Sequence, residues 1–237
     1  MQEITGPSGR TFRPHEFPLL MGLGNSDFLR FSPKPVFPHF DKELSKFYVG
    51  GREDLSLVPG LYQAVLDEVK AFVLTLKDGC CGKRIPCLIG IPDAATGLAA
   101  GVAARSNAGT APIACLCMHK QKKQRGAYPH RWTDAPPNYS KYFYATLDNV
   151  IKIGGSKEEN AEHLREDGFD PEAMTHIVLV DYGLGAIQRL KEVGLNIHAL
   201  FDLDDLLFAF GKLELEAWPL EKVAAARAEI SRLRALA

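Results

Sequence analysis

The chain has 237 residues, 46% of them apolar, and a formal net charge of −1. This is enough apolar material for one domain with a sizeable core, and the charge balance excludes a dedicated nucleic-acid binder, which would be basic overall. There is no apolar run of about 18 residues, so no membrane span is expected. Met1 to Arg13 lacks the apolar stretch of an export signal, so a cytoplasmic protein is expected. The five cysteines, Cys80, Cys81, Cys87, Cys115 and Cys117, match no zinc spacing and read as buried or loop thiols in a reducing cytosol.

Residues 1–40 are dense in proline (Pro14, Pro18, Pro33, Pro35, Pro38) and phenylalanine. Proline at that density disfavours helix and central strand, so residues 1–46 are read as an irregular hood, with short strands around Lys46 to Val49. The core, 47–237, begins with a helix from Pro59, a residue suited to the first helical position. Its apolar stripe is Leu61, Val65, Leu66, Val69, Phe72, Val73 and Leu76, and Gly79 follows its end. A strand over Cys87 to Ile91, a small-residue helix over 95–106 and a strand over Pro112 to Met118 come next. Residues 119–141 read as a long loop, and a loop of that length is usually functional or disordered.

Tyr142 to Leu147 is a predicted strand, ending at Asp148. Ser156 to Asp167 is a predicted helix, with Ser156 as N-cap and Glu159 as its partner in a capping box, stopped by Gly168. The rest alternates: strand His176 to Val180, helix Ile187 to Val193, strand Leu195 to Leu200, a helix from Leu203 capped by Asp202, and a last helix from Pro219. Such alternation predicts an α/β fold, a mostly parallel sheet flanked by helices. Ligands then bind at the carboxyl ends of the strands. Four loops fall there: Gly90 to Asp93, His119 to Gly126, Asp148 to Ser156 and Asp181 to Gly185. The third has the order that places a phosphate: a strand, a glycine turn with exposed N–H groups, and a helix N-terminus. The second is basic and suits a polyanion. His163 and His198 read as structural or surface residues, and Asp181 as the acceptor of a turn.

At these residues the chain resembles a type I phosphoribosyltransferase, and most of all orotate phosphoribosyltransferase, from about Phe47 to Ile230. Tyr48 to Arg52 is similar to the first strand before the family's Pro-Xaa-Leu helix. Gly90-Ile91-Pro92-Asp93-Ala94-Ala95-Thr96-Gly97 resembles the first pyrophosphate loop, and His119-Lys120-Gln121-Lys122-Lys123-Gln124-Arg125-Gly126 the mobile basic loop. Asp148 to Ser156 stands where the signature for phosphoribosyl pyrophosphate (PRPP) stands.

The resemblance implies a type I phosphoribosyltransferase-like sheet and transfer of phosphoribose from PRPP, with Mg²⁺, to a nucleobase, giving a nucleotide and pyrophosphate. It implies a homodimer in which the mobile loop reaches the neighbouring subunit. Lys120, Lys123, Arg125 and Asp148 are the expected catalytic residues, and Asp148 also faces ribose hydroxyls or the hydrated Mg²⁺. His119, Asn149, Lys152, Ile153, Gly154, Gly155, Ser156, Asp93 and Tyr182 are expected to bind substrate. Several positions depart from the family pattern. Asn149 replaces the second acid of the signature and brings no charge. Lys152 stands at a Thr position, where it meets a 5′-phosphate or fills its pocket. His119 replaces an Arg, Arg125 a His or Tyr, and Tyr182 the Arg that contacts orotate. Two readings follow: a divergent orotate-type enzyme, or an inactive protein of this fold that binds a nucleotide or a protein partner.

Overall fold

The structure, a computed structural model, describes residues 2–38, 44–50, 55, 57–78, 84–107, 111–122, 131–133 and 136–237. Gly51, Arg52, Gly79, Cys80, Cys81, Lys123, Arg125 and Gly126 lie outside the described residues. The N-terminal segment contains a hairpin of β1 (Ile4–Thr5) and β2 (Thr11–Phe12), then α1 (Phe17–Asn25). The strands β3 (Leu29–Phe31), β4 (Phe37–Pro38), β5 (Leu44–Ser45) and β6 (Phe47–Val49) form two antiparallel pairs, β3 with β6 and β4 with β5.

The helix α1 corrects the expectation of an irregular segment here. Pro18 lies in the first turn, where an N–H has no intrahelical partner to lose. Phe17, Leu19, Leu20 and Leu23 of α1 are buried in the same core cluster as Leu61, Leu206, Phe210 and Trp218.

The core follows in the expected alternation: α2 (Pro59–Val73), β7 (Ile85–Gly90), α3 (Thr96–Ser106), β8 (Ala114–Cys117), β9 (Tyr142–Ile151), α4 (Gly155–Glu166), β10 (Thr175–Asp181), α5 (Ala186–Glu192), β11 (Asn196–Asp202), α6 (Leu203–Lys212) and α7 (Leu220–Arg234). Pro59 opens α2, and Leu61, Val65, Leu66, Val69 and Val73 form its buried face. Asp202 caps α6 by accepting from the N–H groups of Asp204 and Asp205. Burial in β7, with the nearby Cys117, pushes the Cys87 thiol up to about 12, the state of an inert core thiol.

Five strands pair in parallel in the order β11-β10-β9-β7-β8. The chain steps from β7 outward to β8, then from β9 outward the other way to β10 and β11. The neighbours β7 and β9 therefore flank a topological switch point, where a crevice opens at the carboxyl ends. One face carries the apolar residues of α2, α3, α6 and α7. The other carries Ala161 and Leu164 of α4 and Ala186 and Leu190 of α5.

The hood and β6 are held over the strand ends by polar contacts. The Val49 N–H donates to the Tyr182 hydroxyl (3.1 Å), the Lys46 N–H to Glu229 Oε1 (3.1 Å), and Arg232 to the Leu44 carbonyl (3.2 Å).

Candidate functional site

A cleft of about 710 Å³ lies at the switch point. Ile91, Pro92 and Ala94 line it from the loop after β7, Met118 and Lys120 from the chain after β8, and Asp148, Asn149 and Val150 from β9. Lys152 and Ser156 come from the glycine turn, and Glu159, Asn160 and His163 from α4. Pro38 of the hood and Tyr48 and Val49 of β6 roof the cleft. Tyr48 is steadied by stacking on Phe37, with ring centroids 5.7 Å apart.

The glycine turn differs from its expected form in one respect. The N-cap of α4 is Gly154, at φ +88°, and not Ser156, which is exposed in the first turn with its side chain free of any cap bond. Gly154 is required twice over, by its positive φ and because a Cβ there would meet Arg189 at 2.9 Å and Leu190 at 3.0 Å. Arg189 of α5 braces the turn, donating to the Ile153 carbonyl (2.6 Å) and pairing with Glu158 (2.6 Å). A Cβ on Gly155 would meet nothing within 4 Å, so that position leaves open space beside the helix N-terminus. The unsatisfied N–H groups of such a first turn attract an anion. Lys152 adds a cation: its ammonium lies 5.1 Å from the Tyr182 ring centroid, and burial holds its pKa below the usual lysine range. Among the described residues neither Lys152 nor Lys120 makes an ion pair, whereas Lys122, Arg131, Lys157 and Arg189 all do.

β9 runs through Asp148 and Asn149 to Ile151, four residues beyond the expected end at Leu147. Both polar residues are therefore rigid parts of the sheet. Asp148 Oδ1 accepts the Asn149 N–H (2.7 Å), and Asp148 Oδ2 is bonded by the ammonium of Lys157, a buried side chain on α4. Lys157 also donates to the Val150 carbonyl (3.3 Å). The neighbouring Asn149 Oδ1 is buried on the cleft wall with no hydrogen-bond partner. An unpaired buried acceptor costs about 1–3 kcal/mol, which a ligand hydroxyl would recover. These residues do not fit a divalent cation: the one acid of the pair is already neutralised by a buried ammonium. Among the described residues no group of three His, Cys, Asp or Glu could hold a metal.

The basic loop leaves and re-enters the body at a fixed base. The His119 N–H donates to the Arg131 carbonyl (2.7 Å) and the Thr133 N–H to the Cys117 carbonyl (2.9 Å). Arg131, buried, reaches Asp167 (3.2 Å), Glu166 (3.1 Å) and the Lys120 carbonyl (3.1 Å), and Lys122 pairs with Asp167 (3.0 Å). His119 lies beside the cleft but does not line it, and its buried Nε2 has no partner. The expected catalytic residues Lys123 and Arg125 belong to the part that is not described.

Of the other expected binding residues, Ile153, Gly154 and Gly155 shape the turn between Lys152 and Ser156 without lining the cleft, and Tyr182 and Asp93 stand apart from it. Tyr182 is fully buried, holding Val49 through its hydroxyl and Lys152 on its ring, so it props the site and does not face a ligand. The loop it begins is closed by α7, where Arg234 donates to the Gly183 carbonyl (2.6 Å). Asp93 has φ +60° at the bend after β7, a conformation rare outside glycine, and its neighbours Pro92 and Ala94 line the cleft in its place.

No protein-family model matches the sequence, and no curated protein is similar enough to count as a match. Solved structures do match. The UMP synthase of Leishmania donovani superposes over 92% of this chain with a TM-score of 0.69 and 21% identity. Orotate phosphoribosyltransferases from Aeropyrum pernix (TM-score 0.58, 22% identity, 82% of this chain and 98% of that one) and Mycobacterium tuberculosis (0.59, 14%, 81% and 99%) match along nearly their whole lengths. The chain has the type I phosphoribosyltransferase fold. It spans 42% of the length of the Leishmania UMP synthase chain.

Within this phosphoribosyltransferase fold, sequence reasoning located the glycine turn and Lys120 but missed part of the wall. His163, read as structural or surface, lines the cleft together with Glu159 and Asn160. The signal was present: positions 156, 159, 160 and 163 follow helical spacing and mark one face of α4. No helix among the described residues is long and apolar enough to cross a membrane.

Proposed function

We propose that the chain is a divergent orotate-type phosphoribosyltransferase, moving phosphoribose from PRPP to a nucleobase. The observation that carries the reading is a pair of lysines with no ion pair among the described residues, Lys120 and Lys152, facing one cleft that Ser156 in the first turn of α4 also lines. The 5-phosphate would sit at that helix start, and Asn149 Oδ1 would accept a ribose hydroxyl. The base would lie under Tyr48 and Pro38. As a ring nitrogen of the base bonds to the anomeric carbon, the bond from that carbon to pyrophosphate breaks, pyrophosphate leaves with the electron pair, and the proton of the ring N–H passes to the leaving pyrophosphate. Lys120, with Lys123 and Arg125 of the same loop, would stabilise the negative charge gathering on it once water is excluded. Mg²⁺ enters this reading as part of the substrate, on its pyrophosphate. The homodimer that the resemblance implies belongs to the same proposal, as does action within the cytoplasm.

A second reading, nucleotide binding without turnover, is favoured by the neutralised Asp148 and the uncharged Asn149. Pyrophosphate release from PRPP with orotate, then with other nucleobases, separates the two. Turnover that falls at least about tenfold in Lys120→Ala, or ~1.4 kcal/mol of transition-state stabilisation, supports the enzyme. Binding of PRPP with no pyrophosphate released in the presence of any base supports the second reading.

A further inference from the structure

We infer that Lys157 is a built-in counter-ion for Asp148, so that this cleft holds a phosphoribosyl ligand without a divalent cation at that carboxylate. The inference rests on the phosphoribosyl reading above and concerns one feature of it. Lys157 is 4% exposed, projects from the first turn of α4, and places its ammonium on Asp148 Oδ2 and on the Val150 carbonyl. The other carboxylate oxygen is engaged by the Asn149 N–H. Asn149 stands where a second acid would have doubled the negative charge, so one ammonium matches one carboxylate. A divalent cation at Asp148 would meet a buried ammonium and the positive end of α4 at close range, a repulsion that low local dielectric amplifies. With the lysines at 120 and 152 and the acid at Glu159, the described cleft and Lys157 together carry one positive charge in excess, suited to a free anion. Asn149 Oδ1 remains to accept a sugar hydroxyl.

The test is calorimetric titration of the full chain with ribose 5-phosphate, which carries no pyrophosphate to recruit a metal of its own, in EDTA and in excess Mg²⁺. The two dissociation constants should agree within about twofold, and in Lys157→Met Mg²⁺ should tighten binding about tenfold or more. Wild-type binding that needs Mg²⁺ overturns the inference. Where Lys157→Met does not fold, Asp148→Asn/Lys157→Met removes both charges together and should bind with the same indifference to Mg²⁺; a return of dependence overturns the assignment. Manganese binding to the ligand-free protein, read by electron paramagnetic resonance, keeps the two ideas apart. Failure of ribose 5-phosphate to bind in either buffer sinks the phosphoribosyl reading alone. A manganese site in the wild type that Asp148→Asn abolishes sinks the counter-ion alone.

Discussion

Asp181 ends β10 in register with Asp202 at the end of β11, and the two half-buried side chains share one rim of the sheet. Burial, reinforced by the Asp202 charge, raises the Asp181 carboxyl from 3.8 to about 6, against the opposing effects of the Gly183 N–H and Arg234. A raised carboxyl favours the folded state while it keeps its proton. The unfolded chain releases that proton near 3.8 and the folded one near 6, so stability falls across that interval and is level above it. Asp181→Asn keeps the acceptor for the Gly183 N–H and removes the penalty. Urea denaturation should show a gain of roughly 1–2 kcal/mol above about pH 7 that vanishes below about pH 4, the figure reduced for partial solvation of the rim. At this scale the residues of the proposed phosphate site were legible, because glycine and lysine carry their chemistry in their identities. Lys157 was not. A lysine on a polar helix reads as a solvated side chain, and only the three-dimensional return of α4 past β9 brings it to Asp148.

Among the elements, the loop between β7 and α3 is the most tightly drawn part of the cleft wall. A Cβ on Gly90 would stand 2.6 Å from the Ala95 carbonyl oxygen and 2.7 Å from the Thr96 Cα, both backbone atoms that cannot swing aside. Gly90→Ala should cost about 1–3 kcal/mol in denaturant titration, because α3 must shift to admit it. It should weaken ligand binding as well, since Ile91, Pro92 and Ala94 move with the loop; a variant of wild-type stability and affinity would show that the loop is loose. Periodicity revealed the helices and strands of the core, whose apolar stripes are long and whose stops are glycines such as Gly168 and Gly194, both at positive φ. It failed where chemistry interrupts the pattern. Asp148 and Asn149 interrupt the apolar run of β9 where it lines the cleft, so the pattern ends the strand before Val150 and Ile151. The helix α1 was hidden because proline was weighed by density and not by its place in the first turn.

For the whole molecule, the decisive feature is the strand order, which puts β7 beside β9 and opens one crevice between loops distant in sequence. No local pattern encodes that order; the parallel registers show it. The order also explains why three of the four expected loops meet while the Asp181–Gly185 loop, farther along the sheet, is closed by α7. The hood and β6 complete the cleft because Lys46 and Leu44 tie to α7 and Val49 ties to Tyr182, just after β10. The central claim is that this cleft receives a phosphoribosyl anion at the Lys152–Ser156 turn. Calorimetric titration with PRPP of the wild type and of Lys152→Glu, which turns the cleft cation into an anion, tests it most directly. The account predicts saturable one-site binding by the wild type and at least about tenfold weaker binding by the variant. Absence of binding to the wild type, or equal binding by both proteins, would contradict it.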